Sequence, residues 1–238
     1  MKVTNRIPQM DALTGETSSR ERNGGRPRLP RYEQPAYKFM KRTIDIVLGS
    51  AGLLVLAPVF FLISLVVVRG DGFPIIFKQR RIGQRGNVFY IYKFRSMRRD
   101  AEQRLQELLA RDPEKRREFE ETYKLKDDPR IIPFGAFLRS SSLDELPQLL
   151  NVVIGNMTLV GPRPVVEKEM EKLGDEATIY KAMKPGCAGL WQCSGRSDTT
   201  YEERLRLNRE YYETASIRKD FVILWKTVKS VLKREGAV

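Results

Sequence analysis

The chain contains no histidine. That absence removes Ser-His-Asp and Cys-His nucleophile pairs, imidazole acid–base work and H-E-x-x-H zinc sites. Cysteine is nearly absent too: Cys187 and Cys193 stand alone as a C-x5-C pair. Two thiolates do not complete a structural zinc site, and nothing else in the sequence suggests a disulfide-stapled fold. Acidic residues are outnumbered, with Asp+Glu at 30 against Lys+Arg at 43. Chemistry must therefore come from carboxylates, lysine, arginine, tyrosine or serine, with a hard divalent cation as the natural helper.

The formal net charge of +13 points to an anionic partner: nucleic acid, a membrane surface or phosphorylated small molecules. At 238 residues the chain is long enough for a real core. Residues 1–36 are rich in Arg, Gly, Pro, Ser and Glu and read as a disordered basic tail. No apolar segment follows closely enough for a signal peptide. Arg26, Arg28 and Arg31 are either solvated or in contact with anionic lipid.

From Ile46 to Val68 the chain is almost wholly apolar, long enough to cross a bilayer. Lys38, Lys41 and Arg42 precede it, and Arg69, Lys78, Arg80 and Arg81 follow. Basic flanks favour the cytoplasmic side, and here both flanks are basic. Pro58 at the middle removes a helical hydrogen bond and bends the axis. A bent helix that enters and leaves one leaflet satisfies both flanks, so a re-entrant hairpin is favoured over a straight span. A buried core helix fits worst, because the run has no polar face. Asp45 at its boundary needs a partner, and Lys41 or Arg42 lies one turn away.

Residues 75–82 and 88–95 are β-prone runs around Gly83-Gln84-Arg85-Gly86-Asn87 and read as a hairpin. Period two places Phe89, Ile91, Lys93 and Arg95 on one face, so Lys93 and Arg95 can reach a phosphate together; a solvated edge strand is the plainer reading. Residues 99–124 form a charged surface helix with a thin stripe of Leu105, Leu108, Leu109, Phe119 and Tyr123, broken near Asp112-Pro113. A short helix over Phe134–Arg139 follows.

The most informative stretch runs from Arg139 to Pro164. Ser142-Leu143-Asp144-Glu145 fits the S-x-x-E capping box, which by itself needs no function. The same geometry would suit chemistry. A helix N-terminus attracts phosphate and keeps Asp144 ionised as a carboxylate nucleophile must be, while Glu145 can ligate magnesium and Arg139 can neutralise phosphate. Gly155 marks a helix stop, and Gly161-Pro162-Arg163-Pro164 is a stiff loop presenting Arg163 for phosphate or uracil contact. Residues 165–182 read as helix, and Lys184 to Arg196 as a glycine-punctuated loop with further cations. Glu202–Tyr212 is helical. Ile217–Val231 places Phe221, Leu224, Trp225, Val228 and Val231/Leu232 on one stripe among Lys219, Lys226, Lys229 and Lys233, the pattern of an interfacial amphipathic helix or of a helix packed on a core.

These segments occur in an order that resembles the monotopic polyprenol-phosphate phosphoglycosyl transferases, or bacterial sugar transferases, of the type that initiates exopolysaccharide synthesis. The resemblance covers about residues 38–235. It rests on Lys41-Arg42-x-x-Asp45, the apolar run with Pro58, Tyr92-Lys93-Phe94-Arg95-Ser96-Met97, Arg139-x-x-x-Leu143-Asp144-Glu145-Leu146-Pro147-Gln148-Leu149, Gly161-Pro162-Arg163-Pro164, and Pro185-Gly186-x-x-Gly189-Leu190-Trp191-Gln192 before Gly195-Arg196. Each motif is weak alone; six in order are specific.

The resemblance implies transfer of a phosphosugar from a UDP-sugar to polyprenol phosphate, releasing UMP, with Asp144 as nucleophile and Glu145 as the Mg2+ ligand. Lys93, Arg95, Arg139, Arg163, Lys184 and Arg196 would bind phosphate or nucleotide, while Lys41, Arg42, Asp45 and Pro58 would mark the membrane boundary. It implies a mainly helical α+β fold: a re-entrant membrane helix over 37–69, then a cytoplasmic catalytic domain over 70–238 with a small β-hairpin and interfacial helices. The partners implied are a UDP-sugar, polyprenol phosphate and an anionic lipid surface at the inner membrane; a homodimer is compatible with this, and nucleic acid is not implied. Two positions depart from the family pattern: Asn208 stands where an aspartate is usual, and Ala57 precedes Pro58 where some relatives have serine. The competing readings are a membrane-anchored basic binding module, which leaves the Asp144-Glu145 pair unexplained, and a scaffolding relative without activity. The sugar moved is not legible; residues 99–125 and 165–205 are where specificity is expected.

Overall fold

The computed structural model describes residues 29–122, 125–194 and 200–232. The expected tail over 1–28, with Arg26 and Arg28, lies outside the described residues, as do Tyr123, Arg196 and Lys233. Residues 29–36 are folded rather than tail. Arg31–Glu33 form a 3-10 turn that buries Tyr32, whose hydroxyl accepts a hydrogen bond from the Lys184 N–H at 3.0 Å.

The chain is mainly helical with a small antiparallel sheet. Helix α1 spans Pro35–Val55 and α2 spans Ala57–Asp71. They meet at Leu56 with a bend of 59°. Pro58 falls in the first turn of α2, where its missing N–H costs nothing and its ring disfavours helical continuation from the residue before it. No single described helix is long and apolar enough to cross a membrane; the bent pair meets that test only together.

Strands β1 (Ile76–Ile82) and β2 (Val88–Phe94) pair antiparallel as the hairpin that the sequence suggests, and the structure sets Ile82 opposite Val88 and Phe77 opposite Lys93. Strand β2 separates two cores. Phe89 and Ile91 face a cluster with Val152, Met157, Val160, Tyr211 and Ile223. Phe94 points the other way, to Ile63 and Val67 of α2 and to Ile132 and Leu138. The apolar bent pair is thus anchored in the second core by α2.

Helices α3 (Ala101–Arg111) and α4 (Pro113–Thr122) break where expected, because the Asp112 carboxylate accepts from the Glu114 and Lys115 N–H groups, each at 3.0 Å. Helix α5 (Gly135–Ser140) precedes α6 (Gln148–Ile154). Strand β3 (Thr158–Val160) follows. The single helix expected over 165–182 is in fact two, α7 (Glu167–Lys172) and α8 (Glu176–Ala182), interrupted at Gly174 with φ of 52°. The expected glycine loop contains a strand, β4 (Gly186–Ala188), parallel to β3. Three-residue strands carry too little pattern to be read from sequence. Cys187 and Cys193 are free thiols. Helix α9 (Tyr201–Thr214) starts at a Thr200 cap, and α10 (Ile217–Leu232) closes the described chain.

Helix α1 is the central post. Gly49 and Gly52 let it lie close on α6: a Cβ at Gly49 would sit 3.0 Å from a Val153 methyl. Its three charged motif residues do not pair with one another, as the i to i+4 spacing suggested, but each reaches a different element. Lys41 bonds Asp220 of α10 at 2.9 Å, Arg42 donates to the carbonyls of Val152 and Val153 at 2.7 and 2.8 Å, and Asp45 accepts from Thr158 and from the Leu159 N–H. Gly155, at φ of 103°, ends α6 and leaves room for the Arg42 guanidinium.

Helix α10 answers both readings of its sequence. Ile223 is buried and Leu224 packs on the core, while Phe221, Val222, Trp225 and Val228 are exposed. Asp220 accepts from Tyr37 at 2.8 Å and Tyr211 at 2.7 Å besides Lys41. With side-chain exposures of 7% and 10%, Lys41 and Asp220 form a buried ion pair. Removing one partner strands the other charge. Asp220→Asn is therefore expected to lower unfolding free energy by about 3–5 kcal/mol, read by denaturant titration of the purified chain; a loss below about 1 kcal/mol would show that the network carries no load.

Candidate active site

Asp144 and Glu145 lie on a 3-10 turn, Leu143–Glu145, between α5 and α6. The capping box that their sequence suggests does not form. Ser142 is in the left-handed region at φ of 58°, and its side chain makes no capping bond. The Glu145 carboxylate instead accepts from Lys93 Nζ on β2 at 2.7 Å. A tertiary ion pair across 52 residues has replaced a local bond that the sequence made equally available.

The register between the turn and the strand is set by Asn151, which is fully buried in α6. Its side-chain amide donates to the Tyr90 carbonyl at 2.7 Å and accepts from the Tyr92 N–H at 3.0 Å. An amide that satisfies both exposed groups of a strand edge acts like one more residue of sheet. It fixes α6, and hence Glu145, opposite Lys93. Periodicity does not single out Asn151; a lone amide in an apolar run is the signal that the sequence offers.

The two carboxylates differ in environment. Asp144 is 9% exposed, and burial pushes its carboxyl up to about 6, with Glu145 adding to the rise and Lys93 and Arg139 opposing it. Burial opposes the charge on Glu145 as well, but Lys93, Arg163 and Arg81 outweigh it and hold that carboxyl below its usual range. Adjacent acids with opposite shifts are a mark of divided roles.

A narrow crevice opens beside Glu145, lined by Arg81, Ile91, Lys93, Gln148, Arg163, Pro164, Gly186, Cys187 and Gln192. The Arg163 loop is held by parallel strands β3 and β4, through Gly186 N–H to the Pro162 carbonyl and Gly161 N–H to the Ala188 carbonyl, both 2.8 Å. Arg163 itself is exposed. The expected residues Lys93, Glu145 and Arg163 are thus brought together, with Asp144 and Arg139 beside them.

One expected site residue lies elsewhere. Arg95 does not share the phosphate-facing side with Lys93. It is 5% exposed, follows the end of β2 and donates to the Gly72 carbonyl at the end of α2, with the Asp71 carboxylate 3.7 Å away. Strand alternation stops at Phe94, so period two no longer aims it. Lys184 stands in the field of Arg42 and Asp45, and burial followed by Arg42 lowers its affinity for a proton. Arg81 and Gln148 are additions. Arg81 lies opposite Phe89 in the hairpin register, on the same face as Ile91 and Lys93, a relation available once both strands are aligned.

Residues 36–234 match the bacterial sugar transferase family. The chain belongs to that family. It is 46% identical over 200 residues to the undecaprenyl-phosphate galactose phosphotransferase of Salmonella typhimurium, covering 84% of this chain and 42% of that protein. It is 41% identical over 204 residues to the exopolysaccharide production protein ExoY of Rhizobium meliloti, covering 86% and 90%. The UDP-glucose:undecaprenyl-phosphate glucose-1-phosphate transferase of Escherichia coli is 33% identical over 233 residues, covering 93% and 47%. The chain spans under half of the first and third relatives and nearly all of the second. In this member of the family, Asn208 lies half-buried on α9 and Ala57 opens α2.

The raised Asp144 carboxyl has a consequence for stability. The folded protein holds this proton more tightly than the unfolded chain, so stability falls as pH rises from near 4 through 6. A rise from 3.8 to about 6 corresponds to about 3 kcal/mol at neutral pH. Asp144→Asn is expected to be more stable than the natural chain at pH 7, with the difference vanishing near pH 4, as read by thermal melts across that range.

Proposed function

We propose that this chain transfers a sugar 1-phosphate from a UDP-sugar to undecaprenyl or another polyprenol phosphate and releases UMP. The observation that carries the reading is one buried carboxylate, Asp144, next to a second, Glu145, that is committed to Lys93. Asp144 attacks the phosphorus that bears the sugar, and the phosphosugar rests on Asp144 until the lipid phosphate displaces it. Lys93 and Arg139 neutralise the phosphate under attack, and Arg163 engages the nucleotide half. Phosphoryl transfer needs positioning and charge neutralisation more than acid–base machinery, which suits a site built without histidine. The family membership and the names of the relatives support the substrate classes; which sugar is moved is left to a panel of UDP-sugars.

Magnesium suits this site. Among the described residues no group of three or more His, Cys, Asp or Glu side chains gathers to hold a metal. Two adjacent carboxylates remain, and Glu145, 36% exposed and held ionised, offers hard oxygen to a cation whose other ligands come from the substrate phosphates and water. Bound there, magnesium would offset diphosphate charge.

The bent pair α1–α2 is read as a re-entrant hairpin in the cytoplasmic leaflet. Supporting this are basic residues at both flanks and apolar exposure around the bend, with Leu54 78%, Val55 74% and Phe61 69% exposed. The exposed stripe of α10 suits the same interface. The catalytic domain then faces the cytoplasm, where UDP-sugars are found, against a lipid acceptor in the membrane.

Membranes holding the protein should release UMP from a UDP-sugar when magnesium and polyprenol phosphate are supplied, and Asp144→Asn should abolish that release. Full activity in the variant removes the nucleophile assignment. The attacking form is the carboxylate, so kcat/KM should fall as pH drops through about 6. Separately, reporter tags at residues 1 and 238 should both read cytoplasm; opposite sides would mean a true span.

A further inference from the structure

We propose that Arg81, with Arg163, binds the phosphate on the nucleotide side of the donor and so holds the group that leaves when Asp144 attacks. This deepens, and rests on, the reading of the chain as a phosphoglycosyl transferase.

Arg81 is a buried cation whose hydrogen bonding is incomplete. Its side chain is only 10% exposed. Its Nη2 donates to Gln79 Oε1 at 2.6 Å, while Nη1 stands 3.7 Å from the Glu169 carboxylate, beyond hydrogen-bond distance. Its Nε is buried with no hydrogen-bond partner. A guanidinium without a full set of acceptors in low dielectric is costly, and a bound anion would relieve that cost.

Its place gives the anion's identity. Arg81 lines the crevice with Arg163, Lys93 and Glu145, and Asp144 and Arg139 are not among the residues of that crevice. The cations therefore fall into two groups. Arg139 accompanies the nucleophile, Arg81 and Arg163 accompany the crevice, and Lys93 stands between.

The reaction supplies the reason for two groups. A bond forms from an Asp144 carboxylate oxygen to the sugar-bearing phosphorus. The bond from that phosphorus to the bridging oxygen breaks, and its electron pair leaves on the bridging oxygen, which becomes a phosphate oxygen of UMP. Negative charge grows on the leaving side in a loose transition state. A planar guanidinium fork beside a second arginine matches that phosphate in charge and shape.

UMP itself is the probe. In the full chain, Arg81→Gln should weaken UMP binding and raise the donor KM by roughly tenfold or more, the usual effect of losing a hydrogen bond to a charged group. The KM for polyprenol phosphate should not move, which separates a donor contact from a general loss of structure. Arg81→Lys keeps the charge without the fork and should fall between; if the glutamine variant does not fold, the lysine variant decides on the same readouts. Unchanged UMP affinity in a folded variant, or an equal rise in both KM values, overturns the assignment. A natural chain that neither binds nor releases UMP overturns the reaction itself, whereas UMP binding that ignores Arg81 removes only this residue.

Discussion

A helix that carries charge into an apolar interior must hand each charge to a partner, and α1 does so three times. Lys41 goes to Asp220, Arg42 to the carbonyls that end α6, and Asp45 to the start of β3. None of these groups could be left unpaired in a core at tolerable cost. The partners come from three separate segments, so satisfying α1 draws the C-terminal half of the chain around it. Arg42 in particular neutralises the negative end of the short helix whose other end follows Glu145. Asp144 and Glu145 are therefore positioned, at one remove, by the helix that leads toward the apolar bend.

The second constraint is the strand edge of β2. Asn151 ties α6 to it, and Lys93 on the same strand holds Glu145. One strand thus separates two cores, fixes the turn that bears the acids and supplies the cation that divides their properties. Burial opposes ionisation of both acids; Lys93, with Arg163 and Arg81, outweighs it at Glu145, whereas burial prevails over Lys93 and Arg139 at Asp144. Rigid support of this kind locks side chains into one geometry.

Exposed apolar side chains run along α1 and α2 on both sides of the bend and along one stripe of α10. The polar ends of both segments are locked to each other by Lys41 and Asp220. Contiguous apolar surface of this kind marks a contact face.

The sequence by itself determined much of this. Most of the helices and the first hairpin follow from periodicity and turn chemistry, which are local. The break at Asp112-Pro113 and the stop at Gly155 follow from capping and backbone freedom. The absence of histidine, the Asp144-Glu145 pair and the Arg163 loop marked the site. What only the tertiary structure decided were choices between partners of similar local merit. Ser142 and Lys93 both suited Glu145, and the lysine across the sheet took it; Lys41 and Arg42 both suited Asp45, and β3 took it instead. Arg95 left the site because its strand ended one residue earlier, while Arg81 entered it through strand pairing. Short strands β3 and β4 exist only because each finds the other. Local rules bound what each residue is able to do, but a charge buried in a folded chain goes to whichever partner packing brings within reach.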